Sequence, residues 1–241
     1  MSTYIYGKNA VKERLKKDGG SELLVQKGSH NTDVEKLAQQ ARIKVRYVTK
    51  NELDKVCQGN HQGVALAVQE YRTYSLEELL ASKPNGQYPL YVMLDSLEDP
   101  HNLGAILRTC DAIGADGVII GKHRSVGLTS TVAKVSTGAI EHVKVVAVTN
   151  LRACLDTLKE QGFWVIGTDA REAIDYRDVP CDMPLVVIIG SEGKGISRLV
   201  LEACDYKVSL PMVGHVTSLN ASVAAGILLY QVYNARNPRG K

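Results

Sequence analysis

Three short segments concentrate the residue types that do chemistry, and each follows an apolar run. In the first, an acidic stretch from Asp95 leads through Pro100 and His101 into Asn102-Leu-Gly-Ala-Ile-Leu-Arg108. Asn102 is a good capping residue, so a helix is predicted to begin near it. Asn102 and Arg108 stand six apart, more than one turn and less than two, and so occupy different parts of that helix surface. An Arg among Ile106, Leu107 and Ile113 reads as partly buried, and a buried guanidinium needs an anionic partner. Asp111 and Glu98 are the plain candidates within the chain. The second segment, Gly190-Ser-Glu-Gly-Lys-Gly195, puts three glycines into six residues after an apolar strand. Such a loop lets backbone approach a ligand closely, with Glu192 and Lys194 beside it. Its plainer reading is a tight strand-to-helix turn with solvated charges. In the third, a strand ends at Leu210-Pro211-Met212 and a polar loop leads to Ser218-Leu-Asn220-Ala-Ser222. Ser218 or Asn220 can cap the helix that opens there. Its small residues Ala221, Ser222, Ala224, Ala225 and Gly226 allow close backbone packing.

Several familiar chemistries fail on spacing. Ile196 stands where a phosphate-loop Lys should follow the glycines, and no GxGxxG follows the first strand of the α/β region. The six His include no HxxxH or HxH pair and the Cys are isolated, so no metal site is expected. No GxSxG elbow is present.

The elements that must position these segments form two regions. From Leu90 onward, continuous apolar strands are predicted at 90–94, 117–120, 143–148, 163–167, 185–189 and 206–210, with helices at 103–113, 151–161 and 219–236 between them. Runs apolar on both faces indicate a parallel sheet covered by helices on each side. Residues 1–72 read as a smaller α/β unit, with Thr32 as a predicted N-cap and Glu35 at the capping-box position of one helix. Between them, 73–88 is turn-rich around Ser82-Lys-Pro-Asn-Gly-Gln87 and reads as a linker; the second domain is then 89–241. The 241 residues carry 29 Lys and Arg against 26 Asp and Glu, but the small excess is unevenly placed. Residues 1–72 hold thirteen basic against eight acidic side chains, a net of +5, and 73–241 hold sixteen against eighteen, a net of −2. The asymmetry points to a polyanion partner for the N-terminal half. Five scattered Cys, no secretory leader and no apolar run near 20 residues lead us to expect a cytoplasmic protein with reduced thiols and no membrane partner.

Taken together and in order, the three segments resemble the three motifs of the SpoU (TrmH-type) RNA ribose 2′-O-methyltransferases of the SPOUT superfamily. The resemblance spans nearly all of residues 90–241. The pieces Tyr6-Gly-Lys-Asn-Ala-Val-Lys-Glu-Arg-Leu15 and His61-Gln-Gly-Val-Ala-Leu66 are similar to the substrate-binding domain of the branch that methylates a guanosine in bacterial 23S ribosomal RNA. That domain is of the L30e type. The resemblance implies a parallel sheet ending in a C-terminal trefoil knot, a homodimer formed through the knotted domain, and S-adenosylmethionine as methyl donor without a metal. It further implies cofactor contacts at Thr168, Gly190, Leu210, Met212 and Leu219, and a reaction site of Arg108 with Asn102, Glu192, Ser218 and Asn220 around it.

In that family Arg108 is the residue assigned to assist deprotonation of the ribose hydroxyl. A guanidinium stays protonated in proteins, which argues against a literal Arg base. We therefore expect Arg108 to clamp a phosphate, with Glu192 orienting Arg108 or accepting the proton. Two further readings are the same chemistry on transfer RNA and a non-catalytic RNA-binding assembly factor; the second would not be expected to keep Asn102, Arg108, Glu192 and Asn220.

Overall fold

The computed structural model describes residues 3–17, 19–57, 59–68, 71–169 and 173–239. The chain divides into two compact units, Met1–Tyr71 with Leu128–Thr131, and Arg72–Gly127 with Val132–Lys241.

The first unit runs β1 (Thr3–Tyr6), α1 (Lys8–Lys17), β2 (Glu22–Gln26), α2 (Thr32–Gln40), β3 (Lys44–Val48), α3 (Lys50–Val56) and β4 (Val64–Val68). The sheet order is β1-β4-β2-β3, with β2 and β3 parallel and β4 antiparallel to both its neighbours. Val11 of α1 and Val34 and Ala38 of α2 cover one face, and Leu53 of α3 covers the other. Burial on both faces is why β4 is apolar at every position. β1 was not foreseen: its Tyr4 and Tyr6 are only partly buried, so it lacks the apolar run of a central strand. Thr32 does not cap α2 but is its first residue. Asn31 precedes it, buried, and turns its amide to Ser29 Oγ at 2.8 Å instead.

The second unit begins with α4 (Leu76–Leu80), inside the stretch that reads as linker. Ser75 and Glu78 form a reciprocal capping box there, and Leu79 is fully buried in the core beside Tyr91 and Val146. There follow β5 (Leu90–Asp95), α5 (Pro100–Ile113), β6 (Gly117–Gly121), α6 (Ser130–Ser136), β7 (Lys144–Val148), α7 (Leu151–Glu160), β8 (Trp164–Thr168) and β9 (Ile174–Asp175). β10 (Leu185–Gly190), α8 (Arg198–Leu201), β11 (Tyr206–Ser209) and α9 (Ala221–Arg236) complete it. Seven strands pair in the order β7-β6-β5-β10-β8-β11-β9, all parallel. β5 and β10 lie at the centre and are buried at every position. Leu155 and Leu158 of α7 pack on one face through Met93, Val165 and Ile188. α5 and α9 pack on each other and against β6 and β10. α6, α8 and β9 are too short to show a period in the sequence.

α5 starts at Pro100, three residues earlier than Asn102 would allow as its cap. The cap is Asp99, which accepts from His101 N at 2.9 Å, and Pro100 suits the first helical position because its missing N–H has no partner to lose. Gly114 closes the helix at φ +72. Cys57, Cys110, Cys154 and Cys181 are buried free thiols, and burial pushes the Cys110 thiol up to about 12.

Candidate active site

From β5 the chain steps to β6 and β7 on one side; β10, β8 and β11 lie on the other. Open α/β sheets bind ligands at such a switch point, outside the C-terminal ends of the strands. The register here sets Gly190, the last residue of β10, beside Asp95, the last of β5. Two of the three sequence segments therefore leave the sheet side by side.

A cavity of about 200 Å³ opens at the ends of β8, β10 and β11. Thr168 closes β8, Gly190 closes β10 and Leu210 follows β11, and all three line it. Met212, Ser218 and Leu219 from the following loop complete a wall, and Ala221 and Ala224 contribute the first turn of α9. Every residue expected to touch a cofactor thus borders one cavity. The walls are largely apolar, while Asp169 and Glu192 add carboxylates at its edge. Apolar walls with a few polar groups at the edge suit a small organic ligand. Sequence reasoning missed Asp169, Ser191 and Gly195 among the lining residues, although the last two lie within the glycine motif.

The glycine loop is closed on itself: Ser191 N donates to Gly195 O at 3.2 Å and Gly195 N returns to Ser191 O at 2.8 Å. A Cβ on Gly190 would run into the Gly195 carbonyl carbon and Ile196 N, so only glycine fits. Asp95, buried at the end of β5, accepts from Ser197 N at 2.7 Å and pins the loop's exit.

Glu192 stands at the junction of all three segments. Its Oε1 accepts from Asn102 Nδ2 at 3.0 Å, from Asn220 Nδ2 at 2.5 Å and from Ala221 N at 3.3 Å. Asn220 Nδ2 also donates to Asn102 Oδ1 at 3.0 Å. Asn220 Oδ1 meanwhile caps α9, accepting from Ser222 N at 2.9 Å and Val223 N at 3.3 Å. Backbone N–H groups can only donate, so they fix which way the Asn220 amide faces, and that in turn fixes Asn102. The carboxylate also sits where the dipole of a sixteen-residue helix favours negative charge. Asn102 is 5% exposed, free for this network because Asp99 does the capping.

Arg108 departs from expectation. It is exposed on α5, pairs with neither Asp111 nor Glu98, and has no hydrogen bond or ion pair among the described residues. Glu192 accordingly orients two asparagines and not Arg108. The spacing argument holds: Asn102 faces inward and Arg108 outward. Ser218 borders the cavity, exposed, without joining the network.

A larger hollow of about 1,020 Å³ lies at the opposite end of the sheet, around Asn85–Tyr88 and Arg236. Arg236 is spent there on structure, donating to the carbonyls of Tyr88, Cys181 and Met183 at 2.7–2.8 Å. Among the described residues no group of three or more His, Cys, Asp or Glu side chains is placed to hold a metal.

A parallel α/β domain with an apolar cavity at the C-terminal rim of its sheet, preceded in the chain by a small α/β unit, is the class these features define. Residues 89–230 match the model of the SpoU rRNA Methylase family, and residues 4–74 match that for RNA 2'-O ribose methyltransferase substrate binding. The Bacillus subtilis protein YacO, assigned by name to the TrmH family of tRNA/rRNA methyltransferases, is 51% identical over 244 residues, 99% of this chain and 98% of that protein. The SpoU methyltransferase AviRb of Streptomyces viridochromogenes, solved in complex with the cofactor AdoMet, superposes with a TM-score of 0.63 at 23% identity, covering 98% of this chain and 90% of that one. A TrmH/SpoU tRNA modifying enzyme of A. aeolicus gives 0.59 at 32% identity over 68% of this chain and 82% of that one. The chain belongs to the SpoU rRNA methylase family and is an RNA methyltransferase.

Proposed function

We propose that this protein transfers a methyl group from S-adenosylmethionine to a ribose 2′-hydroxyl of 23S ribosomal RNA, at a guanosine. The observation that carries the reaction is the convergence of Asn102, Glu192 and Asn220, from three separate segments, at the edge of one apolar cavity. The donor supplies a methyl on a sulfonium, so the reaction needs positioning and a destination for the hydroxyl proton and no metal. Thr168, Gly190, Leu210, Met212 and Leu219 hold the donor, largely through backbone groups. Asn102 and Asn220, locked by Glu192 Oε1, fix the ribose. Glu192 Oε2 has no partner among the described residues and receives the proton. Arg108, exposed and unpaired, holds a phosphate of the target nucleotide and steadies the developing alkoxide. Ser218 sets the loop at the cavity mouth.

Residues 1–72 dock the RNA and 89–241 carry the chemistry; the net charge of +5 and the substrate-binding family match support this division. The segment from β10 to α9 is threaded as a trefoil knot. Two copies pair through α9, whose Val223, Tyr230 and Tyr233 are 40–50% exposed on a helix otherwise packed into the unit. The reading places the enzyme in the cytoplasm with its RNA; no helix of the described residues is long and apolar enough to cross a membrane.

The test is to incubate the protein with labelled S-adenosylmethionine and unmodified ribosomal or transfer RNA, and to map the methylated ribose. Label in 23S RNA is expected. Label in transfer RNA alone would move the substrate, and no transfer to either would leave an RNA-binding assembly factor.

A further inference from the structure

A second group of cations stands on the rim that carries the cavity. β6 ends at Gly121, and Lys122-His123-Arg124 follow it, all three exposed. None of them has a hydrogen-bonded side chain or an ion pair among the described residues. The segment is nevertheless held in place. Lys122 N donates to Val148 O at the end of β7, and Val126 N donates to Leu97 O, both at 2.8 Å. The second bond ties this loop to the one that leads from β5 to Asn102. Arg124 adopts φ +54, which a non-glycine residue keeps only where its surroundings impose it. The neighbouring loop carries Glu98 and Asp99, but neither pairs with these cations, and Asp99 is used to cap α5.

β6 lies two strands from β10, with β5 between them. At ~4.8 Å per strand that is about 10 Å from the exit of β10. A nucleic-acid strand covers this in about three nucleotides at its ~3.4 Å helical rise. Lys194, in the glycine loop at the exit of β10, is exposed and unpaired as well, so cations flank the exit of β5 on both sides.

We propose that Lys122 and Arg124, with His123 between them, grip phosphates of the RNA strand beside the nucleotide being methylated. The proposal rests on the methyl-transfer reading above and adds an RNA-phosphate site to residues 73–241. The net charge of −2 over that half gives no hint of one. Net charge sums the whole surface, whereas a phosphate meets only the few side chains within reach.

The experiment is a salt titration of RNA binding by the full chain, wild type against Lys122→Gln/Arg124→Asn, using unmodified transcripts of ribosomal and transfer RNA. Asn tolerates the left-handed backbone at 124. Each single-strand phosphate contact contributes about 0.7 to the slope of log K against log salt. Loss of two should flatten the slope by about 1.4 and weaken binding about 25-fold at 0.1 M salt. KM for RNA should rise while kcat at saturating RNA and the affinity for S-adenosylmethionine stay unchanged. Lys122→Arg/Arg124→Lys should restore the slope. A double variant with wild-type slope and affinity overturns the proposal. So does loss of S-adenosylmethionine binding that the charge-preserving pair does not restore, because the loop would then be structural. If the wild-type chain methylates no RNA, the functional reading fails and the salt slope still decides this one.

Discussion

Removing the Glu192 carboxylate should separate the two jobs proposed for its two oxygens. Glu192→Ala deletes the acceptor of three hydrogen bonds, from Asn102, Asn220 and Ala221. Asn102 is buried, and an unsatisfied buried amide costs about 1–3 kcal/mol. Asn220 is exposed and water can replace its lost partner, so little is added there. The favourable charge at the start of α9 adds about 0.3–1 kcal/mol. A total near 2 kcal/mol corresponds to a fall in Tm of roughly 4–8 °C for a domain of this size. Glu192→Gln keeps an oxygen acceptor in the same place, so its Tm should stay within about 3 °C of wild type. It cannot take a proton, and general-base catalysis contributes about 10²–10⁴-fold, so kcat should fall at least about 100-fold. The assays are scanning calorimetry, S-adenosylmethionine titration and single-turnover methyl transfer on the mapped RNA. A Gln variant with half the wild-type kcat would refute the proton-acceptor role. An Ala variant with unchanged Tm would refute the idea that this carboxylate holds the three segments together. A double-mutant cycle of Glu192→Ala with Asn102→Ala should be strongly non-additive, because the pair is in direct contact.

Arg108 is exposed and unpaired, so Arg108→Lys should change stability by no more than about 0.5 kcal/mol. Turnover should nonetheless drop about tenfold or more, since Lys lacks the two-pronged grip on phosphate; near-normal turnover would end the clamp assignment. Gly190→Ala should abolish S-adenosylmethionine binding and lower stability by about 1–3 kcal/mol, measurable by titration calorimetry and urea unfolding, because backbone blocks the new methyl. Glu52 and Glu78 reciprocally cap α3 and α4, and hydrogen bonds from Thr49 and Ser75 hold both carboxylates below their ordinary 4.5. A lowered folded value stabilises above the unfolded one, so this contribution is complete above about 4.5 and is lost as pH falls through the folded values. Urea midpoints measured between pH 6 and 3 should decline less steeply in Glu52→Gln/Glu78→Gln.

Much of this molecule was legible in its sequence because the signals are local. The apolar runs at 90–94 and 185–189 are buried on both faces, so no alternation confused them, and both became central strands. The glycine loop, and a cap at either Ser218 or Asn220, follow from backbone chemistry within a few residues; the fold gives that cap to Asn220. What failed locally was a competition between near neighbours. Asn102 and Asp99 can both cap a helix, and Pro100, which suits the first helical position, gave the cap to Asp99. Thr32 lost the cap position to Asn31, which occupies it without a side-chain capping bond. The burial of Arg108 was read from its neighbours in the chain, but helical geometry turned Ile106 and Leu107 inward and Arg108 out. The stretch 73–88 has a linker's composition, yet Leu79 is fully buried.

The sequence by itself therefore determined the residue types, the glycine loop, the central apolar strands and the parallel α/β class. Only the tertiary structure decided that Asn102, Glu192 and Asn220, up to 118 residues apart, share hydrogen bonds. That depends on β10 entering the sheet beside β5 and on α9 packing against α5. Periodicity and capping act over a few residues, whereas strand order and helix docking are set by which distant apolar faces bury one another.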